Sequence, residues 1–196
     1  MWWQTDMNLL ASLPKVLPAG FALSLLVSGC GFQLRGAPPV SSALQPLAVD
    51  CSGEVPEQLC GSVKEQLSLG NIDLQPSEKA DYVLNISNFR RERRASAITV
   101  RAAAAEYTLR QTVDIEVLTS DKVPLIAPTD LNSSETYRYD ESNVLAKQRE
   151  EEALQEQLYD RLAQQIIFRL APLDRDRIDR LKQEAEQTRD QDSGQP

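Results

Sequence analysis

The chain has 196 residues, 41% of them hydrophobic and 26% charged, with 29 acidic against 21 basic side chains and a formal net charge of −8. That length suits one globular domain with some tail left over. The acidic balance argues against a nucleic-acid partner, whose affinity comes mainly from Lys and Arg neutralising phosphates, although a local basic patch is compatible with it. Histidine is absent, which removes the commonest general base and the commonest zinc ligand. No enzyme activity and no cofactor are expected.

The first apolar stretch, about Leu17 to Val27, is too short to cross a bilayer as a helix, which needs roughly 20 residues. Its length fits the hydrophobic region of a signal peptide. The opening "MWWQTD" carries only Asp6, whereas a start at Met7 would place Lys15 ahead of the apolar run with no acid. Val27-Ser28-Gly29-Cys30 follows and resembles a bacterial lipobox. Small residues let the chain pass a narrow peptidase site, and the Cys30 thiol takes a diacylglycerol and becomes the new N-terminus. The plainer reading is a secretory signal with a chance cysteine. Several acyl chains anchor stably where one does not. Gly31 stands where many inner-membrane lipoproteins carry Asp, which by resemblance points to the periplasmic side of the outer membrane. Residues 1–29 are therefore expected to be a signal peptide and 30–43, rich in Gly, Pro and Ser, a lipidated linker.

The folded domain is expected over 44–172. "LQPLAVDC" at 44–51 reads as a short edge strand because of Pro46. Over 55–70, Val55, Leu59, Val63 and Leu67 make one helical stripe. Pro56 suits the first turn and Gly70 the stop. Cys51 and Cys60 can pair in an oxidising periplasm or serve as two small core hydrophobes, and their spacing leaves both readings open. "DYVLNISNF" at 81–89 alternates through Tyr82, Leu84 and Ile86. The clearest strand is 106–118, with Tyr107, Leu109, Val113, Ile115 and Val117 on one parity and polar residues on the other. A turn near "SDKVPLIAP" leads to a last strand carrying Tyr137 and Tyr139.

A long amphipathic helix then spans 141–172. Leu154, Leu158, Leu162, Ile166 and Leu170 form its ladder, with Asp140 or Ser142 as cap. The tail 173–196 has few apolar residues and reads as frayed helix giving way to disorder. The expected architecture is α+β, two helices on one face of a four-stranded mixed sheet.

Chemistry-bearing motifs are few. "EEE" at 150–152 reads as a solvated helix face, since consecutive residues point in different directions. "RRERR" at 90–94 is the dense basic cluster. It is either a solvated loop or basic edge, or a cationic site for an anionic ligand.

Four ordered segments carry a resemblance: "GCGFQLRG" at 29–36, "AAEYTL" at 104–109, "YRYDESNVLAK" at 137–147 and "LYDRLAQQIIFRL" at 158–170. Together the sequence resembles the LptE family of lipopolysaccharide-assembly lipoproteins. The resemblance implies two helices on a four-stranded sheet. It implies a plug, one copy per barrel, inside the lumen of the outer-membrane β-barrel LptD, which it helps assemble while lipopolysaccharide is inserted at the cell surface. It also implies lipopolysaccharide contacts at Arg101, reached across one inserted residue, and at Lys147, reached without a gap; the insertion leaves Arg93 or Arg94 as substitutes. Guanidinium groups suit the phosphates of lipid A because they offer two parallel hydrogen bonds. The competing readings are an envelope lipoprotein that serves another outer-membrane machine without touching lipopolysaccharide, and a surface-tethered hydrolase.

Overall fold

The computed structural model describes residues 40–98 and 104–193. Four strands form one sheet in the order β1-β2-β3-β4: β1 is Leu47–Cys51, β2 is Tyr82–Ile98, β3 is Ala104–Thr119 and β4 is Pro124–Arg138. β1 lies parallel to β2, and the other pairs are antiparallel. A parallel pair needs a crossover, and helix α1, Glu57–Leu69, supplies it. After β4, α2 spans Val144–Leu170 and α3 spans Arg175–Ser193. The molecule is an α+β sandwich with a mixed sheet, as the sequence implies, and it carries one helix more.

The periodicities explain the elements. On α1, Leu59, Cys60, Val63 and Leu67 are buried, and Val55 joins them. Pro56 stands at its N-cap and Gly70 at its end, but Gly70 keeps φ −78. The left-handed residue that turns the chain is Asn71, at φ 59, a role in which Asn is the common substitute for Gly. Cys51, at the end of β1, is joined by a disulfide to Cys60 on α1, with Cα atoms 6.3 Å apart.

On α2, Leu162, Ile166 and Leu170 are fully buried in one core cluster with Leu84, Ile86, Ile115 and their neighbours on the sheet, and Leu158 is fully buried with Leu109 and Tyr137. Asp140 does not cap α2 directly. Its carboxylate accepts the amide of Ser142, 2.9 Å away, and so caps a 3-10 turn, Glu141–Asn143, that feeds the helix.

Three segments depart from the sequence reading. "RRERR" is not a loop but part of β2, which continues to Ile98. β4 begins at Pro124, inside the segment expected to turn. Its prolines fit, because Pro124 opens an edge strand and Pro128 lies where the register with β3 shifts, the two places a strand tolerates a missing N–H. Finally, the tail is helical from Arg175 to Ser193. Asp174 accepts the amide of Arg177 at 2.8 Å, and Leu173 and Ile178 are buried in the main core. The packed domain thus extends beyond residue 172.

One irregularity decides what faces the helices. Ser87 pairs with Asp114 and Arg90 with Thr112, so Asn88 and Phe89 together oppose Val113. Asn88 sits at φ 51, and its amide donates to Asp114 at 2.7 Å. Such a bulge inserts one residue into the ladder. Before it, the even-numbered Tyr82, Leu84 and Ile86 face the helix layer; after it, Arg91 and Arg93 do, paired with Gln111 and Leu109. The opposite sheet face is polar. There Arg90 bridges Asp114 and Asp130, Arg138 reaches Glu106, and Thr108 hydrogen-bonds Thr136.

Candidate functional site

β1 ends opposite Ile86, so the outer halves of β2, β3 and β4 project past it as a three-stranded tip. The first turns of α2 lie on that tip. Here the core changes character: a small second cluster of Leu109, Tyr137 and Leu158, flanked by Tyr107, Tyr139 and Leu154, replaces the aliphatic one.

Arg93 is the hub of this region. Its guanidinium lies 3.4 Å from the centroid of the Tyr107 ring, a contact worth most where water is excluded. Its Nε and one terminal nitrogen both donate to the Tyr137 hydroxyl at 3.1 Å, and Nε also donates to Glu151 Oε2 at 3.1 Å. The Tyr137 hydroxyl in turn donates to the same carboxylate oxygen. Strand β2, strand β4 and helix α2 thereby close a triangle of charge-assisted bonds. Burial, reinforced by the bond to Glu151, pushes the Tyr137 phenol up to about 12. Tyr139 meets Tyr107 edge to face at 5.3 Å. One register step inward, Arg91 donates to the Tyr159 hydroxyl and lies 5.9 Å from the Phe89 and Tyr159 rings.

The expected site residues separate. Lys147 lies on the same side as Arg93, one helical turn before Glu151. Its side chain is 21% exposed and its ammonium pairs with Glu150 at 2.6 Å. The charge of Lys147 also helps hold the Asp140 carboxyl below the usual range, behind the larger effect of the Ser142 hydrogen bonds. Arg94 points to the other, open face of the sheet, 77% exposed and paired with Glu92 at 3.0 Å. The structure thus places Lys147 one helical turn from the Glu151 that Arg93 holds and sets Arg94 on the opposite face. Arg101 and Cys30 lie outside the described residues.

Sequence reasoning missed Tyr107, Tyr137 and Glu151 as partners of an arginine. The reading of "EEE" as wholly solvated is corrected for Glu151, whose side chain is 22% exposed and bound by Arg93. The signal was present: Lys147, Glu151, Leu154 and Leu158 continue one helical stripe, so a charge on it must meet the sheet. Among the described residues, no group of three His, Cys, Asp or Glu side chains could hold a metal. No helix among them is long and apolar enough to cross a membrane.

Known proteins share both sequence and fold. The model of the LptE family, described as lipopolysaccharide-assembly, matches residues 44–170. The chain is 30% identical over 159 residues to the LPS-assembly lipoprotein LptE of Yersinia enterocolitica, covering 80% of this chain and 75% of that protein. The Yersinia pestis (strain Pestoides F) protein of the same name aligns with the same identity and coverage. Among solved structures, the rare lipoprotein B of Shewanella oneidensis aligns with a TM-score of 0.52 at 26% identity, covering 73% of this chain and 95% of that one. A lipoprotein B of Nitrosomonas europaea aligns with a TM-score of 0.58 over 72% of this chain and 90% of that one, at 19% identity, a likeness of fold alone. With the match running from the residues that precede β1 to the last residue of α2, the chain belongs to the LptE lipopolysaccharide-assembly family.

Proposed function

We propose that this protein is an outer-membrane lipoprotein, acylated at Cys30, that seats one-to-one in the lumen of the LptD β-barrel, helps that barrel assemble, and binds lipopolysaccharide during its insertion. The observation that carries the reading is the family match over residues 44–170, the sheet with α1 and α2. The open sheet face supports the seat. The ion pairs of Arg90 with Asp114 and Asp130 and of Arg138 with Glu106, and the Thr108–Thr136 bond, cross between its strands, which suits the polar interior of a transmembrane barrel better than an apolar interface. The tip supports the ligand. Lys147 is a cation whose side chain is 21% exposed and paired with Glu150, and a lipid A phosphate would take the place of Glu150 on it; Arg101 is the second cation of the proposed site. Arg94, on the opposite face, is left out of it.

Three measurements test the proposal. Mass spectrometry of the mature protein should show an acylated cysteine at its N-terminus, and an unmodified N-terminus elsewhere would reject the anchor. A tagged copy should co-purify a detergent-stable barrel at equal stoichiometry. Lipopolysaccharide retention should fall on Lys147→Asp with Arg101→Asp and fall further with salt, since exposed charge pairs are screened within about 8–10 Å. Barrel capture without any retention would favour the alternative, an envelope lipoprotein that supports its machine without binding lipopolysaccharide.

A further inference from the structure

We infer that Arg93 is a positioning residue rather than a lipopolysaccharide contact: with Tyr137 and Glu151 it is a strut that fixes the first turns of α2, and so Lys147, on the β2–β3 hairpin. This rests on the reading of Lys147 as a phosphate-holding cation. Two of the three nitrogens of Arg93 are engaged within the protein. Nε is shared between Tyr137 and Glu151, a terminal nitrogen bonds Tyr137, and the plane of the guanidinium is covered by Tyr107. A phosphate binding in the two-pronged manner through Nε and that terminal nitrogen would have to break a closed triangle. Little else holds this end of the helix. Val144, Leu145 and Ala146 are exposed, with Leu145 at 74%, and the buried ladder starts only at Leu158. Lys147 precedes Glu151 by four residues, about 6 Å along the axis, and shares its face. Where Glu151 is pinned, Lys147 is placed.

The strut makes a prediction opposite in sign to simple electrostatics. Glu151 is an anion one turn from a site for anions, so neutralising it should strengthen binding if charge alone matters. A strut predicts that Glu151→Gln weakens it. The experiment measures retention of purified lipopolysaccharide by the full-length protein across a salt series, well below the unfolding midpoint of each variant. Glu151→Gln and Arg93→Lys are each expected to lower retention about fivefold or more, at the low end of couplings between linked groups, with the salt slope unchanged because no ligand-contacting cation is lost. Tyr137→Phe, which removes one hydroxyl and is the variant most certain to fold, should fall in the same direction. Lys147→Ala should lower retention and flatten the slope. Unchanged or stronger retention by Glu151→Gln, or full retention by Arg93→Lys, would overturn the strut. Unchanged retention by Lys147→Ala would overturn the premise instead, and the two failures are told apart by which variant is silent.

Discussion

The phenol of Tyr137 is driven up, from 10.0 to about 12, chiefly by burial and then by the bond it gives Glu151. The fold therefore prefers its neutral form. The stabilisation is fully present below pH 10 and is lost as pH rises through about 12. Absorbance titration of the tyrosinates should show one group ionising late, and Tyr137→Phe should remove that component. Unfolding followed against pH should fall more steeply over this window for the wild type than for Tyr137→Phe. Gln111 shows a different economy. It is fully buried on the helix side of β3, and its amide donates to the Gln155 carbonyl at 3.2 Å, while its own oxygen has no partner. It occupies a polar step, opposite Arg91, in the mostly apolar odd-numbered parity of β3.

Each element owes its place to a few contacts that can be tested singly. Leu162 is fully buried at the centre of the α2 ladder. Leu162→Ala should cost about 2–5 kcal/mol in denaturant unfolding, whereas Leu145→Ala at the exposed start of the same helix should stay within about 0.5 kcal/mol. A smaller loss at Leu162 than at Leu145 would mean the packing face is wrong. The bulge offers a backbone test. Asn88→Val places a β-branched residue at φ 51 and should cost about 1–2 kcal/mol, while Asn88→Gly should be close to neutral because Gly accepts that angle and loses only the bond to Asp114. Legibility followed periodicity. α1 and α2 could be read because their apolar residues repeat without a break, and β3 because its alternation is broken only by Gln111 between Leu109 and Val117. The outer half of β2 could not, since five charged residues hide a strand whose helix-facing positions are arginines bedded on aromatic rings, and the bulge changes their parity. α3 was obscured by its charge, its docking resting on Ile178 with Leu181 beside it. At the site, Lys147 was reached through the family resemblance and expected to be exposed, whereas its side chain is 21% exposed and paired with Glu150. The partnership of Arg93 with Tyr137 and Glu151 joins three distant segments, and local pattern carries no trace of it.

At the scale of the whole molecule, the disulfide ties the edge strand β1 to α1 and so secures the crossover on which the parallel pair depends. Replacing both Cys51 and Cys60 by Ala should lower stability by about 2–4 kcal/mol. A reductant should do the same to the wild type and nothing to the double variant, as followed by thermal melts. The base around this link is densely aliphatic, with Leu44, Leu59, Leu67, Leu84, Ile166 and Leu170 fully buried, whereas the tip rests on three buried residues and a polar triangle. That unevenness has a consequence in time rather than in space. Amide protons of β1, α1 and the second half of α2 should exchange with solvent only when the whole domain opens, and those of Arg90–Ile98 and of the first turns of α2 through cheaper, local openings. Deuterium uptake read by mass spectrometry should show this gradient, with Glu151→Gln accelerating the tip alone. A molecule with such a gradient can alter its working end, residue by residue, while the lifetime of its fold is set elsewhere.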